Sequence, residues 1–442
     1  MPAYVDRRAF LHRSIAGALA LTVGCGASAR PRGRVVVVGA GLAGLVAARD
    51  LEAGGFRVTV LEADGRVGGR VRTVQLPGAQ HAEAGGEFAD VNHRALRALA
   101  RRCDLELEDV RDGGVDLPGA AYLRGRRFDS DDLYTTAVEA DVARYEARME
   151  ALAARLDPRL DNRSVARLLD ELRLDPTARF LVERDVRDEA TVAADRLSLL
   201  FHAATWRLTA GVPAAGIEAY RVRGGNGRLP RALAARLEVV PDARVEAVAT
   251  GAGGVRVEAG RRRFTADFCV VAAPLPALRA VRFDPGLPSA HAEAVREAQY
   301  GSATKTLLQY RRRIWRDQGF DGDTLTDLPL GTTWEATDGQ PGRPGVLLGY
   351  TVGRRISSGA AAAQLDRIYP GSRPLLTRAV TAPWPYSYTA YAPGQMTRFA
   401  AAVRRPHGRV HFAGEHTDRF ASYMEGAVRS GHRAAREVAA RG

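Results

Sequence analysis

Apolar and polar positions along the chain change period several times, and the changes divide it. Val35–Val38 is a wholly β-branched run, the pattern of a strand buried on both faces of a parallel sheet. The next apolar stretch predicts a helix from Leu42 to Glu52, stopped at Gly54-Gly55, and Arg57–Leu61 predicts a second strand. From Asn92 to Leu200 the pattern is helical and charged with few strand signals. Within it, Leu133–Leu156 and Val165–Leu172 carry apolar residues at three- and four-residue spacing. A short helix over Leu229–Leu237 follows. Ala243–Val248, Gly254–Ala259 and Asp267–Ala272 then read as strands, with a turn at Gly251–Gly254. Phe283 to Pro406 is mixed, with aromatic and Gly/Pro-rich islands. A strand ending at Gly414-Glu415 and a helix from Gly426 to Ala440 close the chain. The expected class is α/β.

Between the first strand and helix stands Gly39-Ala40-Gly41-Leu42-Ala43-Gly44, a G-x-G-x-x-G. Gly39 permits the tight turn, Gly41 lets backbone approach a diphosphate, and Gly44 lets the helix sit close to the sheet. The helix N-terminus offers free N–H groups to the phosphates. Glu62, at the end of the second strand, has the spacing of a ribose hydroxyl contact. Strand, turn, helix, strand and acid in order make a nucleotide site. Just beyond, Arg66-Val67-Gly68-Gly69-Arg70 brings a first adjacent glycine pair of the cofactor region and two guanidinium groups toward the same diphosphate, and Gly85-Gly86 is the second such pair.

This R-x-G-G-R continuation resembles flavoproteins of the amine oxidase superfamily, and the resemblance implies FAD. It extends through Gly85-Gly86, similar to a glycine pair lining the family's flavin region. Val245 matches a valine whose backbone meets the adenine. Gly408-Arg409-Val410-His411-Phe412-Ala413-Gly414-Glu415-His416-Thr417, followed by Tyr423-Met424-Glu425-Gly426-Ala427, carries a pattern specific to flavin amine oxidases. By that resemblance Gly414, Glu415, Met424 and Ala427 contact FAD. Tyr423 and Tyr388 match the family's aromatic cage, whose ring faces attract the amine nitrogen, with Tyr391 as the alternative to Tyr388. Lys305 matches the lysine that holds a water beside the flavin. Ser387 stands where animal monoamine oxidases carry the cysteine that bonds the flavin, so FAD is expected to be non-covalent.

The implied fold is a Rossmann-like FAD-binding domain (33–95, 220–285 and 405–442) with a mixed α+β substrate domain (96–219 and 286–404), each discontinuous. No second G-x-G-x-x-G follows a strand, so no separate NAD(P)H domain is expected and an acceptor such as oxygen must reoxidise the flavin. The implied reaction takes a hydride equivalent from the carbon beside a primary or secondary amine. It gives an imine, then an aldehyde, and converts oxygen to hydrogen peroxide. Three rivals stand beside it: an L-amino acid oxidase, a flavin-dependent isomerase or desaturase, and a non-catalytic flavin-binding protein. The first needs an arginine for the substrate carboxylate, commonly just after the second glycine pair, where this chain has Glu87 and Asp90.

Composition changes this picture in three places. The 442 residues carry a net charge of +13, but the arginines are scattered among acids, with no basic run interleaved with aromatics to suggest nucleic acid. Of 64 basic residues one is lysine, Lys305, an exception that chance survival or a need for a compact, flexible ammonium would each explain. The three cysteines, Cys25, Cys103 and Cys269, form no metal-ligand spacing, so neither a disulfide framework nor a metal site is expected. At the amino terminus, Asp6-Arg7-Arg8-Ala9-Phe10-Leu11, an apolar run and Ala27-Ser28-Ala29 resemble a twin-arginine export signal over residues 1–29. The run is too short for a permanent membrane anchor. Lipid attachment at Cys25 is the alternative to soluble export.

Overall fold

Arg34–Val38 lies at the centre of a five-stranded parallel sheet in a computed structural model, which describes residues 32–110 and 115–442. The expected export segment lies outside those residues. Arg57–Leu61 and Glu238–Val240 add strands on one side, and Phe268–Val271 and Val410–Phe412 on the other. Three of these strands are thus brought together from far along the chain. The sheet is buried on both faces: Val35 and Val37 face one apolar cluster, Val36 and Val38 another. Strictly β-branched strands with no polar alternation can sit only in such a place. The helix Leu42–Ala53 follows the first strand and packs on the C-terminal helix Met424–Ala439. A Cβ on Gly44 would fall 1.9 Å from the Gly39 carbonyl, so only glycine allows the helix this approach.

A seven-stranded sheet makes the second body of the fold. Its order is Leu376–Trp384, Ala303–Tyr310, Gly345–Val352, Thr332–Glu335, Thr324–Thr326, Ala120–Leu123 and Arg126–Asp129. The long strand Ala303–Tyr310 is buried at every position, flanked on both sides by antiparallel partners. Helices Thr136–Arg155, Val165–Leu172, Pro176–Ala190 and Leu199–Thr209 pack on one another, the first two where the three- and four-residue spacing predicts them.

Four expectations need correcting. The stretch from Asn92 to Leu200 is not wholly helical. It holds Leu107–Asp109 and the hairpin Ala120–Leu123 with Arg126–Asp129, turned at Arg124-Gly125 with φ of +52° and +79°. Those two positive values are the geometry of a two-residue hairpin turn that follows strand twist. Ala243–Val248 is a strand only from Ala247, because Ala243 N–H is bound to the Glu62 carbonyl at 2.7 Å and draws the preceding residues to the first sheet. The helix expected over Leu229–Leu237 is Arg228–Ala234, and the final helix begins two residues early, at Met424. Among the described residues no helix is long and apolar enough to cross a membrane.

Candidate active site

The two glycine loops after the first two strands are joined to each other. Gly68 N–H donates to the Ala40 carbonyl at 2.8 Å, and Gly41 forms an isolated bridge with Gly68. Gly39 and Gly69 take φ of +102° and +54°, and the space where a Gly41 side chain would project is open. Glu62 is buried, its carboxylate receiving the N–H of Ala40 and of Asp64 at 2.7 and 2.9 Å. Arg66 turns back on its own loop, donating to the Gly69 carbonyl at 2.7 Å. Val245 is buried in the extended segment tied to Glu62 through Ala243. The open face before Gly41, the helix start behind it and the acid beside it fit the diphosphate and ribose of a dinucleotide.

Arg70, one of the sequence-derived contacts, is paired with another: its Nη1 lies 2.9 Å from Glu415 Oε1. Burial, the largest single influence, pushes the Glu415 carboxyl up, but the Arg70 guanidinium, His416 and the Ser422 N–H together outweigh it and hold it below the usual carboxylate range. Glu415 also receives the Thr389 hydroxyl and the Ser422 N–H at 3.2 and 2.8 Å. Gly414, at φ +134°, donates its N–H to Ser430 of the C-terminal helix at 2.9 Å. Gly85 sits against Arg70, where a Cβ would be 2.0 Å from its carbonyl, and Gly86 faces the Met424 side chain. Met424 and Ala427 are half-buried in the first turn of that helix. Glu425 between them is a structural cap. Its carboxylate accepts the N–H of Ala95 and Leu96 at 3.1 and 2.8 Å, at the start of the helix Arg94–Arg102.

Tyr388, Tyr423 and Lys305 come from three separate segments. Ser387 N–H donates to Gly301, and Gly301 N–H to Tyr388, each at 2.9 Å, which fixes Tyr388 against the approach to the strand that carries Lys305. Tyr423 caps the C-terminal helix, and Ser422 before it donates its hydroxyl to the Thr389 carbonyl at 2.7 Å. The two tyrosines meet at Glu189, on the helix Pro176–Ala190. Tyr423 donates to its Oε1 at 2.9 Å, and Tyr388 to its backbone carbonyl at 2.7 Å. Tyr388 also shares a 3.2 Å hydroxyl contact with Tyr350. The Tyr350 ring lies 5.7 Å from Trp334, and the Lys305 ammonium stands 5.2 Å over Trp334. The ammonium ends 2.7 Å from Glu87. One unbroken run of contacts therefore links both tyrosines to the lysine.

Tyr391, the alternative to Tyr388, lies in the apolar core with its ring edge-on to Phe201. Ser387 spends its hydroxyl on Thr191, 2.6 Å away.

Sequence reasoning missed Glu189 and Tyr350 altogether, placed Trp334 only in the substrate-domain stretch from Phe283 to Pro406, and weighed Glu87 only as a non-arginine. Glu189 stands in a charged helix with no motif around it, and its significance depends on which helix face meets the tyrosines. Burial, with Asp185 repelling it from one turn away, raises the Glu189 carboxyl to about 7. Its side chain nonetheless remains exposed. Burial likewise raises Glu83 to about 7, where it receives the Asn226 N–H and the Thr73 hydroxyl at 2.8 and 2.9 Å.

Residues 42–439 match the family described as flavin-containing amine oxidoreductase. The chain is 31% identical to a Mycobacterium tuberculosis protein named as flavin-containing monoamine oxidase AofH, over 92% of this chain and 96% of that one. It is 25% identical to an L-amino acid dehydrogenase of Synechocystis, over 91% and 94%. The structure of a putrescine oxidase bound to putrescine superposes with a TM-score of 0.82 at 23% identity, covering 92% of this chain and 99% of that one.

Proposed function

The chain belongs to the flavin-containing amine oxidoreductase family and takes FAD as its cofactor, and from that premise we propose that it oxidises a primary or secondary amine with oxygen as acceptor. The observation that carries this reading is the run of contacts from Tyr423 through Glu189, Tyr388, Tyr350 and Trp334 to Lys305. Two aromatic rings and one buried ammonium joined by one run of contacts suit an amine and have no use in a passive flavin carrier.

FAD supplies the two-electron acceptor. On this reading the Gly39–Gly44 turn, the helix start behind it and the Arg66–Arg70 loop hold its diphosphate, and Glu62 its ribose. Gly85, Gly86, Gly414, Glu415, Met424 and Ala427 line the remainder, with the Met424–Ala439 helix directing its positive end there. No cysteine replaces Ser387, so the cofactor is held without a covalent bond. Tyr388 and Tyr423 flank the amine nitrogen. Lys305 would hold a water beside bound FAD and so place a proton donor there.

Amino acid oxidation is the second reading, favoured by the Synechocystis relative. Against it, Glu87 occupies the place after the second glycine pair. The arginines of the helix Pro176–Ala190 are also engaged, Arg179 with Asp170 and Glu183, Arg184 with the Thr326 carbonyl and Arg187 with Asp188. Screening the FAD-loaded protein against amines and L-amino acids with peroxide detection decides between them. Peroxide from amines is expected. Turnover with amino acids alone would replace the proposal, and no peroxide from either would end it.

A further inference from the structure

Several carboxylates in this arginine-rich chain have a guanidinium beside them. Arg70 stands 2.9 Å from Glu415, Arg316 2.8 Å from Glu335, and Arg221 2.6 Å from Glu108. Glu189 is different. Among the described residues its carboxylate oxygens make one hydrogen bond, from the Tyr423 hydroxyl. The charges that act on it are Asp185 on its own helix and Asp90 on the loop after Gly85-Gly86. Asp188 is adjacent on the same helix, and Glu218 faces it from the segment before the strand Tyr220–Val222. The nearby cations are committed elsewhere: Lys305 to Glu87, Arg187 to Asp188 and Arg184 to a carbonyl. An unneutralised carboxylate set among other acids and open to solvent on one side attracts a cation.

The substrate brings that cation. The reacting nitrogen belongs between the ring faces and must be uncharged to give up a hydride equivalent. Glu189 is at the hydroxyl ends of the same rings, where it would meet a different part of the molecule. Resting on the amine oxidase reading, we propose that Glu189 is a specificity-determining residue that anchors a second, positively charged nitrogen, so that the preferred substrate is an alkyl diamine. The same carboxylate turns away a substrate carboxylate, which sets amino acids at a disadvantage.

The acidity of the group gives the preference a pH signature. Burial and the repulsion of Asp185 and Asp90 raise Glu189 to about 7, while Asp185 and Glu218 are raised, mainly by burial, to about 6 and about 7. The anchor is charged above this range and is lost as the pH falls through it.

The test compares kcat/KM for 1,4-diaminobutane and for butylamine, which differ by one terminal nitrogen, in the FAD-loaded wild type, Glu189→Gln and Tyr423→Phe. The wild type is expected to favour the diamine, with a ratio that falls between pH 8 and pH 6. Glu189→Gln should lower the ratio by about tenfold or more, the scale of one charge-assisted contact. Tyr423→Phe removes the hydrogen bond but keeps the carboxylate, and should keep the ratio. Flavin absorbance confirms that each variant is loaded, and a ratio is insensitive to partial loading. A wild type that oxidises butylamine as well as the diamine overturns the anchor and leaves the amine oxidase reading intact. So does an unchanged ratio in Glu189→Gln, or an equal fall in Tyr423→Phe. A wild type whose flavin is reduced by neither amine but by an L-amino acid overturns the function on which the anchor rests.

Discussion

The Lys305 ammonium and the Glu87 carboxylate form an ion pair at 2.7 Å, with both side chains nearly sealed from solvent. The chain's one lysine is therefore held by an acid that follows the second glycine pair, and Trp334 covers it. Arginine could supply the charge, but its planar fork would not fit as a compact ammonium on a flexible stem does.

This pairing governs what removing the lysine does. Lys305→Met leaves Glu87 buried without a counter-ion, which costs about 3–5 kcal/mol of stability. The double variant Lys305→Met with Glu87→Gln should recover most of that loss in thermal unfolding. Both variants should still be reduced by amine without oxygen, and both should reoxidise about a hundredfold more slowly, the scale of losing one positioned group. Rapid-mixing absorbance separates the two half-reactions. Normal reoxidation in the double variant would remove the catalytic role and leave Lys305 as a structural partner of Glu87.

Three tyrosines that look alike in sequence should behave differently. Tyr388→Ala and Tyr423→Ala should each lower kcat/KM by about tenfold or more through loss of a ring face, and the Phe variants should lose little. Tyr391→Ala should instead cost about 3–5 kcal/mol of stability, since its ring fills the core against Phe201. Steady-state kinetics beside denaturant unfolding checks all of these. Lost turnover with full stability in Tyr391→Ala would transfer the cage role to it.

Ser387 offers a hydroxyl already bound to Thr191 and no thiol. Acid precipitation of the holoprotein should therefore release all yellow colour to the supernatant. Colour kept in the washed pellet would contradict non-covalent binding.

The Arg70–Glu415 pair carries a pH signature of its own. Glu415 is held below its ordinary 4.5, so its contribution to stability is fully present above about 4.5 and lost as the pH falls through its lower folded value. Arg70→Met should destabilise the protein by about 1–3 kcal/mol near neutrality, discounted because Arg70 is partly exposed. The gap from wild type should narrow below pH 4.5. Urea midpoints measured across that range test the sign, and a gap that widens toward low pH would show that the pair does not act this way.

What the sequence determined by itself is the part governed by short-range rules. Val35–Val38 could only be a strand buried on both faces, Gly44 could only be small beside Gly39, and Gly54-Gly55 ended the helix that began at Leu42. The family's motifs rest on such local geometry, so Tyr388, Tyr423 and Lys305 could be named from their neighbours. The hairpin at Arg124-Gly125 was local as well, but its turn signal is weak in a charged, helix-rich stretch. Tertiary structure alone decided the rest, because pairing across the chain depends on which faces meet. It set Glu87 on Lys305 across 218 positions and Arg70 on Glu415 across 345. It also turned one face of the helix Pro176–Ala190 so that Glu189 received two tyrosines and, among the described residues, no arginine. A charge on a helix has no fixed partner until the helix is docked. For Glu189, docking set an exposed acid at the hydroxyl of Tyr423, beside Asp185 and Asp90.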